Sequence, residues 1–291
     1  MANRSRFSIA KPKIEAYFEN NKSKIYTPRA IETIFSSEGA EWRFAVSATV
    51  REFITFLLER SRLRQVTLEF PNEKITRYIW GDDTSAYELA LSLKPEAYLS
   101  HYTAVFLHDL TEQIPKTIFV TSEQPRKSQG DALTQTVIDE AFSRPVRETT
   151  KTAFYKDYNI TLLNGQFTQK AGVLKQEVSS GQFPVTNLER TLIDIAVRPV
   201  YSGGVFEVMK AYEKAKDKVQ INKLKAYLKQ INFIYPYHQV IGFYLERAGI
   251  PEKRLALWED SFDKNVDFYL VHNMQNKEYS KRWRLYYPSD I

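Results

Sequence analysis

Apolar side chains recur at helical spacing three times within the first sixty residues. Ile14, Tyr17 and Phe18 mark a helix over residues 11–20, which the polar string Asn20-Asn21-Lys22-Ser23 ends. A second helix starts with stronger punctuation. Thr27 can cap the open N–H groups, Pro28 suits the first helical position, and Tyr26 and Ile31 are spaced as a hydrophobic staple. Its apolar face is Ile31, Ile34 and Phe35, and Ser36-Ser37-Glu38-Gly39 stops it. A third helix is expected over residues 47–60, with Val50, Phe53, Ile54, Leu57 and Leu58 as a core-facing stripe. Ser47, Thr49, Arg51, Glu52, Thr55 and Glu59 take the opposite side; Phe56 falls off the stripe and is expected against a hairpin or a second copy. Alternation over residues 66–70, a Pro71-Asn72 turn and a further run over 74–80 then predict a β-hairpin with basic flanks. Three helices followed by a basic hairpin is the order of a winged helix-turn-helix.

Beyond Gly81-Asp82-Asp83, the expected junction, the pattern changes character, which divides the chain into domains at 1–81 and 82–291. Helices are expected over residues 84–93, ended by Pro95, and over 96–110, then a strand over 117–121 and a helix over 129–143 carrying Leu133, Val137, Ile138 and Phe142. Residues 149–185 read as strands with a turn at Asn164-Gly165, residues 186–248 as mostly helix, and the tail as mixed acidic and aromatic. Thr186-Asn187-Leu188-Glu189 has capping-box spacing, Leu192, Ile193, Ile195 and Ala196 face a core, and Pro199 ends that helix. Tyr201-Ser202-Gly203-Gly204 is a backbone-permissive turn, without the spacing or the Lys-Ser/Thr of a phosphate loop. The fold class is therefore α+β: an N-terminal winged helix-turn-helix and a mixed α+β second domain, in place of regular βαβ alternation.

Composition narrows the chemistry. The chain has no cysteine, which excludes disulfides, thiolate metal sites and thiol nucleophiles, and its four histidines are too few for a His-rich metal site. His101 and His108 are seven apart, a spacing for hydrogen-bonded core residues and not for two ligands of one ion. No cofactor is expected. No apolar run reaches membrane-spanning length and the opening Met1-Ala2-Asn3-Arg4-Ser5-Arg6 leads into no leader-like segment, so the expected location is the cytoplasm. The net charge of +6 is unevenly placed: residues 1–80 hold 14 Lys/Arg against 9 Asp/Glu, the remaining residues 27 against 26. A local surplus of this kind attracts a phosphate backbone and releases its counterions. The expected duplex contacts are Arg43, Ser47, Thr49 and Arg51 at the third helix, with Arg62, Arg64, Lys74 and Arg77 on phosphates from the hairpin. The alternative class is a metal-dependent nuclease or other defence enzyme, for which Glu259, Asp260, Asp263 and Asp267 with Lys264 are the candidate Mg²⁺ group, although they lack a clean nuclease spacing. A pure protein-docking module is a third class. Glu189, Arg190 and Asp194 read as an active-site cluster or, more plainly, as a cap, an ion pair and a solvated face.

Four strings then come together: AYLSHYTAVFLHDLTEQ at 97–113, IPKTIFV at 114–120, VTNLERTLID at 185–194 and RPVYSGG at 198–204. In this order, behind a winged-helix N-terminus, the chain resembles the AbiEi family of type IV antitoxins from bacterial abortive-infection (phage-defence) systems, to about residue 250. The resemblance implies a non-enzymatic protein that represses its own operon by binding promoter inverted repeats, as a monomer or weak dimer acting cooperatively. It also implies that the second domain neutralises a nucleotidyltransferase-like toxin without a stable complex. On that reading Glu189, Arg190 and Asp194 become candidates for the antitoxic surface. The segment between the second and third helices, with Trp42 and Arg43, is longer than is usual in the family.

Overall fold

The computed structural model describes residues 6–82, 84–126, 133–178, 180–262 and 264–291, and the chain divides into two compact units. The first runs to residue 93 and includes residues 153–156; the second holds 94–152 and 157–291.

In the first unit, α1 (Arg6–Asn20) starts earlier than the apolar pattern indicated and carries Pro12 in its second turn, burying Ala10, Ile14 and Phe18. A short strand β1 (Ile25–Tyr26), not foreseen from the sequence, leads into α2 (Pro28–Glu38). Thr27 Oγ1 accepts from the Ala30 N–H at 3.0 Å, the expected cap. The long connection from α2 does not loop out: Trp42 is 5 % exposed and, with the half-buried Phe44, packs on Phe53 at ring separations of 5.9 and 5.4 Å. α3 (Val50–Arg60) begins at a reciprocal capping box, Thr49 Oγ1 accepting from Glu52 N–H while the Glu52 carboxylate accepts from Thr49 N–H at 2.9 Å. Phe53 and Leu57 are its fully buried positions. Phe56, off the stripe, packs on Phe7 of α1 at 5.5 Å, a neighbour the sequence had not offered for it. β2 (Leu63–Phe70) and β3 (Glu73–Trp80) pair in unbroken antiparallel register around Pro71-Asn72, and the sheet order is β1-β3-β2. α4 (Ala86–Ser92) follows the expected junction at 81 and still belongs to this unit.

The second unit opens with β4 (Tyr98–Leu99) and α5 (His101–Leu107), where the sequence suggested one helix over 96–110. Then come β5 (Thr117–Glu123), α6 (Gln135–Ser143), β6 (Thr152–Tyr155), β7 (Tyr158–Gly165), β8 (Val173–Val178) and β9 (Gly181–Thr186). The start of the expected helix over 129–143 lies in part outside the described residues. Asn164-Gly165 closes β7 as a continuing ladder and is not a hairpin turn. The sheet order is β6-β7-β5-β4-β9-β8, β6 being the segment that the division assigns mostly to the first unit. β4–β9 and β5–β7 are parallel, β4–β5 and β8–β9 antiparallel. Helices α7 (Leu188–Val197), α8 (Val205–Ala215), α9 (Ile221–Ile231), α10 (Tyr237–Arg247) and α11 (Glu252–Glu259) complete the body, with a 3₁₀ turn Pro199–Ser202 between the first two. α7 is the central helix: its positions from Glu189 to Ala196 are all buried, so its polar residues have no solvated side.

The acidic–aromatic tail is structured as β10 (Phe268–Tyr269), β11 (Lys277–Ser280) and β12 (Leu285–Pro288), in order β10-β12-β11. Trp283, 1 % exposed, presses on α10 so closely that a Cβ at Gly242 would meet its ring at 2.3 Å; only glycine fits there. The Trp283 indole N–H donates to Glu246 at 2.7 Å, and Arg282 fans across Glu246, Glu252 and Glu259. The architecture is mixed α+β. No helix among the described residues is long and apolar enough to cross a membrane.

Candidate nucleic-acid face and a buried charged network

On the first unit, burial of Phe53 and Leu57 turns the opposite side of α3 outward. Arg51 and Thr55 are exposed there and line one open groove with Ser47 and, from α1, Arg6, a residue the sequence reading had not singled out. Arg51 and Arg43 form no ion pair among the described residues; Arg43 is exposed at a left-handed φ of 56°. Glu52 and Glu59 lie on the same groove, and they set a polarity limit on what it can hold.

The remaining expected contacts separate by environment. Thr49 is spent on the capping box, its hydroxyl 2.9 Å from the Glu52 carboxylate, so it secures the helix start and does not reach outward. That pair of bonds, the backbone one first, holds the Glu52 carboxyl below its ordinary range. Arg62 donates to Glu19 at 2.6 Å, and the same carboxylate accepts from the Trp80 indole at 3.0 Å. Arg64 reaches the Gly81 carbonyl at 2.7 Å and Asp82 at 3.3 Å. Lys74 pairs with Glu69 across the hairpin. These three stay solvent-exposed. Arg77 does not: it is 8 % exposed and its guanidinium donates to the Ser92 carbonyl at 2.7 Å. It fastens α4 to β3, its burial removes it from the expected phosphate contacts, and that burial lowers its pKa.

In the second unit, Glu189, Arg190 and Asp194 are 2, 4 and 7 % exposed. They are therefore no antitoxic surface; α7 is buried, and so are they. The expected capping box is also absent. Asn187 is the cap, accepting from the Arg190 N–H at 3.0 Å, while Thr186 Oγ1 meets Thr191 Oγ1 at 2.8 Å. Glu189 instead accepts from the Gln220 N–H at 3.1 Å and from Lys223 at 2.9 Å. Arg190 is the hub. Nε donates to Asp194 at 2.8 Å, Nη1 to the Ala171 carbonyl at 2.6 Å and Thr168 Oγ1 at 3.1 Å, and Nη2 to the Tyr98 hydroxyl at 3.4 Å. Burial works against its charge, yet Asp194, Tyr98 and Glu123 keep its pKa above the ordinary value. Glu123 in turn accepts from the N–H groups of Thr168 at 2.8 Å and Lys170 at 3.1 Å. The chain passes over Arg190 at Gly172, where φ is +75° and a Cβ would meet the Arg190 Cβ at 2.6 Å.

Next to this pair His101 opens α5 at φ +51°, a backbone region uncommon for non-glycine residues. Its Nδ1 lies 2.9 Å from Ser100 Oγ, which is 2.7 Å from Thr121 Oγ1. Burial depresses its pKa to about 4, so the ring is neutral at pH 7. His108 is held separately, its Nε2–H donating to the Thr186 carbonyl at 2.6 Å, and burial lowers its pKa too. The two histidines are hydrogen-bonded, partly or fully buried groups, as their spacing suggested.

Arg190, Asp194 and His101 border a cleft of about 670 Å³, whose mouth carries Arg147, Lys151 and Arg198. The sequence reading missed this convergence. The only signal available was chemical, a basic Arg147 and Arg198 on segments that nothing in the linear pattern brings together. At the C-terminus Glu259 is bonded to Lys264 and Arg282, and Asp267 to Arg284 at 2.8 Å; Asp263 lies outside the described residues. Among the described residues no group of three His, Cys, Asp or Glu side chains is placed to hold a metal ion.

No family model matches the chain, and no curated protein matches it. Among solved structures it is similar to the RV2827C protein from Mycobacterium tuberculosis, at 12 % identity and a TM-score of 0.59 over 96 % of this chain and 91 % of that one. Likeness at that identity concerns the fold, which is mixed α+β.

Proposed function

We propose that this chain is a DNA-binding autoregulator and antitoxin of a bacterial type IV toxin–antitoxin pair. Its first unit serves as a winged helix-turn-helix on promoter inverted repeats and its second neutralises a nucleotidyltransferase-like toxin in the cytoplasm without a stable complex. The observation that carries the DNA half is the outward face of α3. There Arg51 has no carboxylate partner among the described residues and shares a groove with Ser47 and Arg6, while the β2–β3 hairpin presents Arg62, Arg64 and Lys74 to solvent. A helix end with free donors beside a basic hairpin meets the requirements of a major groove and its flanking phosphates. The antitoxin half rests on the resemblance of the strings at 97–120 and 185–204.

The direct test is a gel shift with the DNA upstream of the chain's own gene at 50 and 200 mM salt. Specific, salt-sensitive binding is the expected result, and absent or salt-insensitive binding sinks the regulator reading. The antitoxin half is tested by co-expression with a neighbouring nucleotidyltransferase-like gene, where growth should be restored.

A further inference from the structure

We propose that the cleft bordered by His101, Arg190 and Asp194 binds a small phosphate ester with a planar ring, of the size of a nucleoside monophosphate. The site lies wholly in the second unit and the argument is independent of what the first unit binds. Its volume of about 670 Å³ is in the range of clefts that hold one small molecule.

Charge selects the ligand's anionic end. Arg147, Lys151, Arg190 and Arg198 line the cleft against Glu148 and Asp194, four cations against two carboxylates. Arg190 and Asp194 neutralise each other at 2.8 Å on the floor, so the surplus of two sits at the mouth and matches a phosphomonoester dianion. The mouth is also held in place. The Arg198 guanidinium donates to the Arg147 carbonyl at 3.2 Å, and the Thr149 N–H donates to the Tyr201 hydroxyl at 2.8 Å, which fixes the segment bearing Arg147 and Lys151 at two points. These bonds spend one N–H of Arg198 and none of the Arg147 side chain.

Shape and residual polarity select the rest. Tyr201, Phe233, Tyr235 and Tyr237 line the wall and give it an aromatic character that suits a planar ring. Below them His101 has used Nδ1 on Ser100, leaving Nε2 as its remaining polar atom at the cleft. Asp194 has used one oxygen on Arg190 and has a second. A neutral imidazole nitrogen and a carboxylate oxygen together are complementary to the polar edge of a heterocycle. His101 also holds a left-handed φ at this floor, and strained backbone of this kind gathers at functional sites.

The experiment is isothermal titration of the full-length chain with AMP, GMP, CMP, UMP and inorganic phosphate. At least one nucleotide is expected to bind saturably, and at least tenfold more tightly than inorganic phosphate. The exposed Arg147→Ala and Arg198→Ala changes together should weaken that binding at least tenfold with the circular dichroism spectrum unchanged. Arg29→Ala, an exposed cation of the first unit, should leave it unaltered. Three results overturn the proposal: no saturable binding by any nucleotide up to millimolar concentration, phosphate binding as tightly as the nucleotides, or affinity untouched by the double change.

Discussion

Burial decides which charged residues are scaffold. Arg190 and Asp194 sit at 4 and 7 % exposure with a hydrogen-bonded ion pair between them. Removing one partner strands a charge in the interior, which costs about 3–5 kcal/mol. Urea denaturation of Arg190→Met should show a loss of that size, whereas Lys74→Met, whose pair is solvent-exposed, should move stability by under about 1 kcal/mol. His101 gives a pH signature. Its folded pKa of about 4 lies below the ordinary 6.5, so the unfolded chain takes up the proton first. The associated stability is fully present above pH 6.5 and is lost as pH falls from there towards 4, at up to about 1.4 kcal/mol per pH unit. His101→Asn, which tolerates the left-handed φ, should flatten the stability curve in that window, and His108, shifted the same way, should keep part of the slope. An unchanged slope in this variant would mean that His101 is not protonation-silent in the fold. The sequence showed part of this, the hydrogen-bonded core histidines and an ion pair among Glu189, Arg190 and Asp194. It took the trio's side of the helix for a solvated face because helical spacing shows an apolar stripe but not whether the other side is covered as well.

At the level of elements, sequence was most legible where local chemistry alone decides. Thr27 and Pro28 placed the start of α2, the Pro71-Asn72 turn placed the hairpin, and Gly203-Gly204 placed the passage into α8. It failed where a tertiary partner decides. Tyr98–Leu99 has helix neighbours on one side and is too short to show a period, yet it is a strand because β5 and β9 pair with it. Thr186-Asn187-Leu188-Glu189 fits a capping box, yet Gln220 and Lys223 claim Glu189. The same contrast yields a prediction for α3. Thr49→Ala removes the cap and should cost about 1 kcal/mol of stability. Arg51→Ala should leave stability within about 0.5 kcal/mol and weaken operator binding by about 1–3 kcal/mol, as loss of a base-edge contact does. Arg77→Ala should do the reverse, lowering stability while leaving the salt dependence of binding as it was. Equal losses of DNA affinity from Arg51→Ala and Arg77→Ala would show that the outward face of α3 has been misassigned.

For the whole molecule the relevant fact is that two of its hydrophobic clusters, among the described residues, each draw their buried residues from a single unit. Ile14, Phe18, Phe53, Leu57 and Trp80 centre the first; Leu192, Ile193, Val208, Tyr244 and Trp283 belong to the second. Two cores of this kind need not melt as one cooperative transition, since two-state behaviour is a property of single domains. Calorimetry should resolve two transitions, and selective substitution should assign them. Phe53→Ala empties a fully buried position in the first core, at about 3–5 kcal/mol, and should lower one transition. Arg190→Met, in the second unit, should lower the other and leave the first within a degree or so. A ligand of the His101 cleft should raise only the transition that Arg190→Met lowers, because a molecule that binds one folded unit stabilises that unit by mass action. If both substitutions lower a single shared transition, the units fold as one cooperative body, and stability can then no longer serve to separate what the α3 face binds from what the cleft binds.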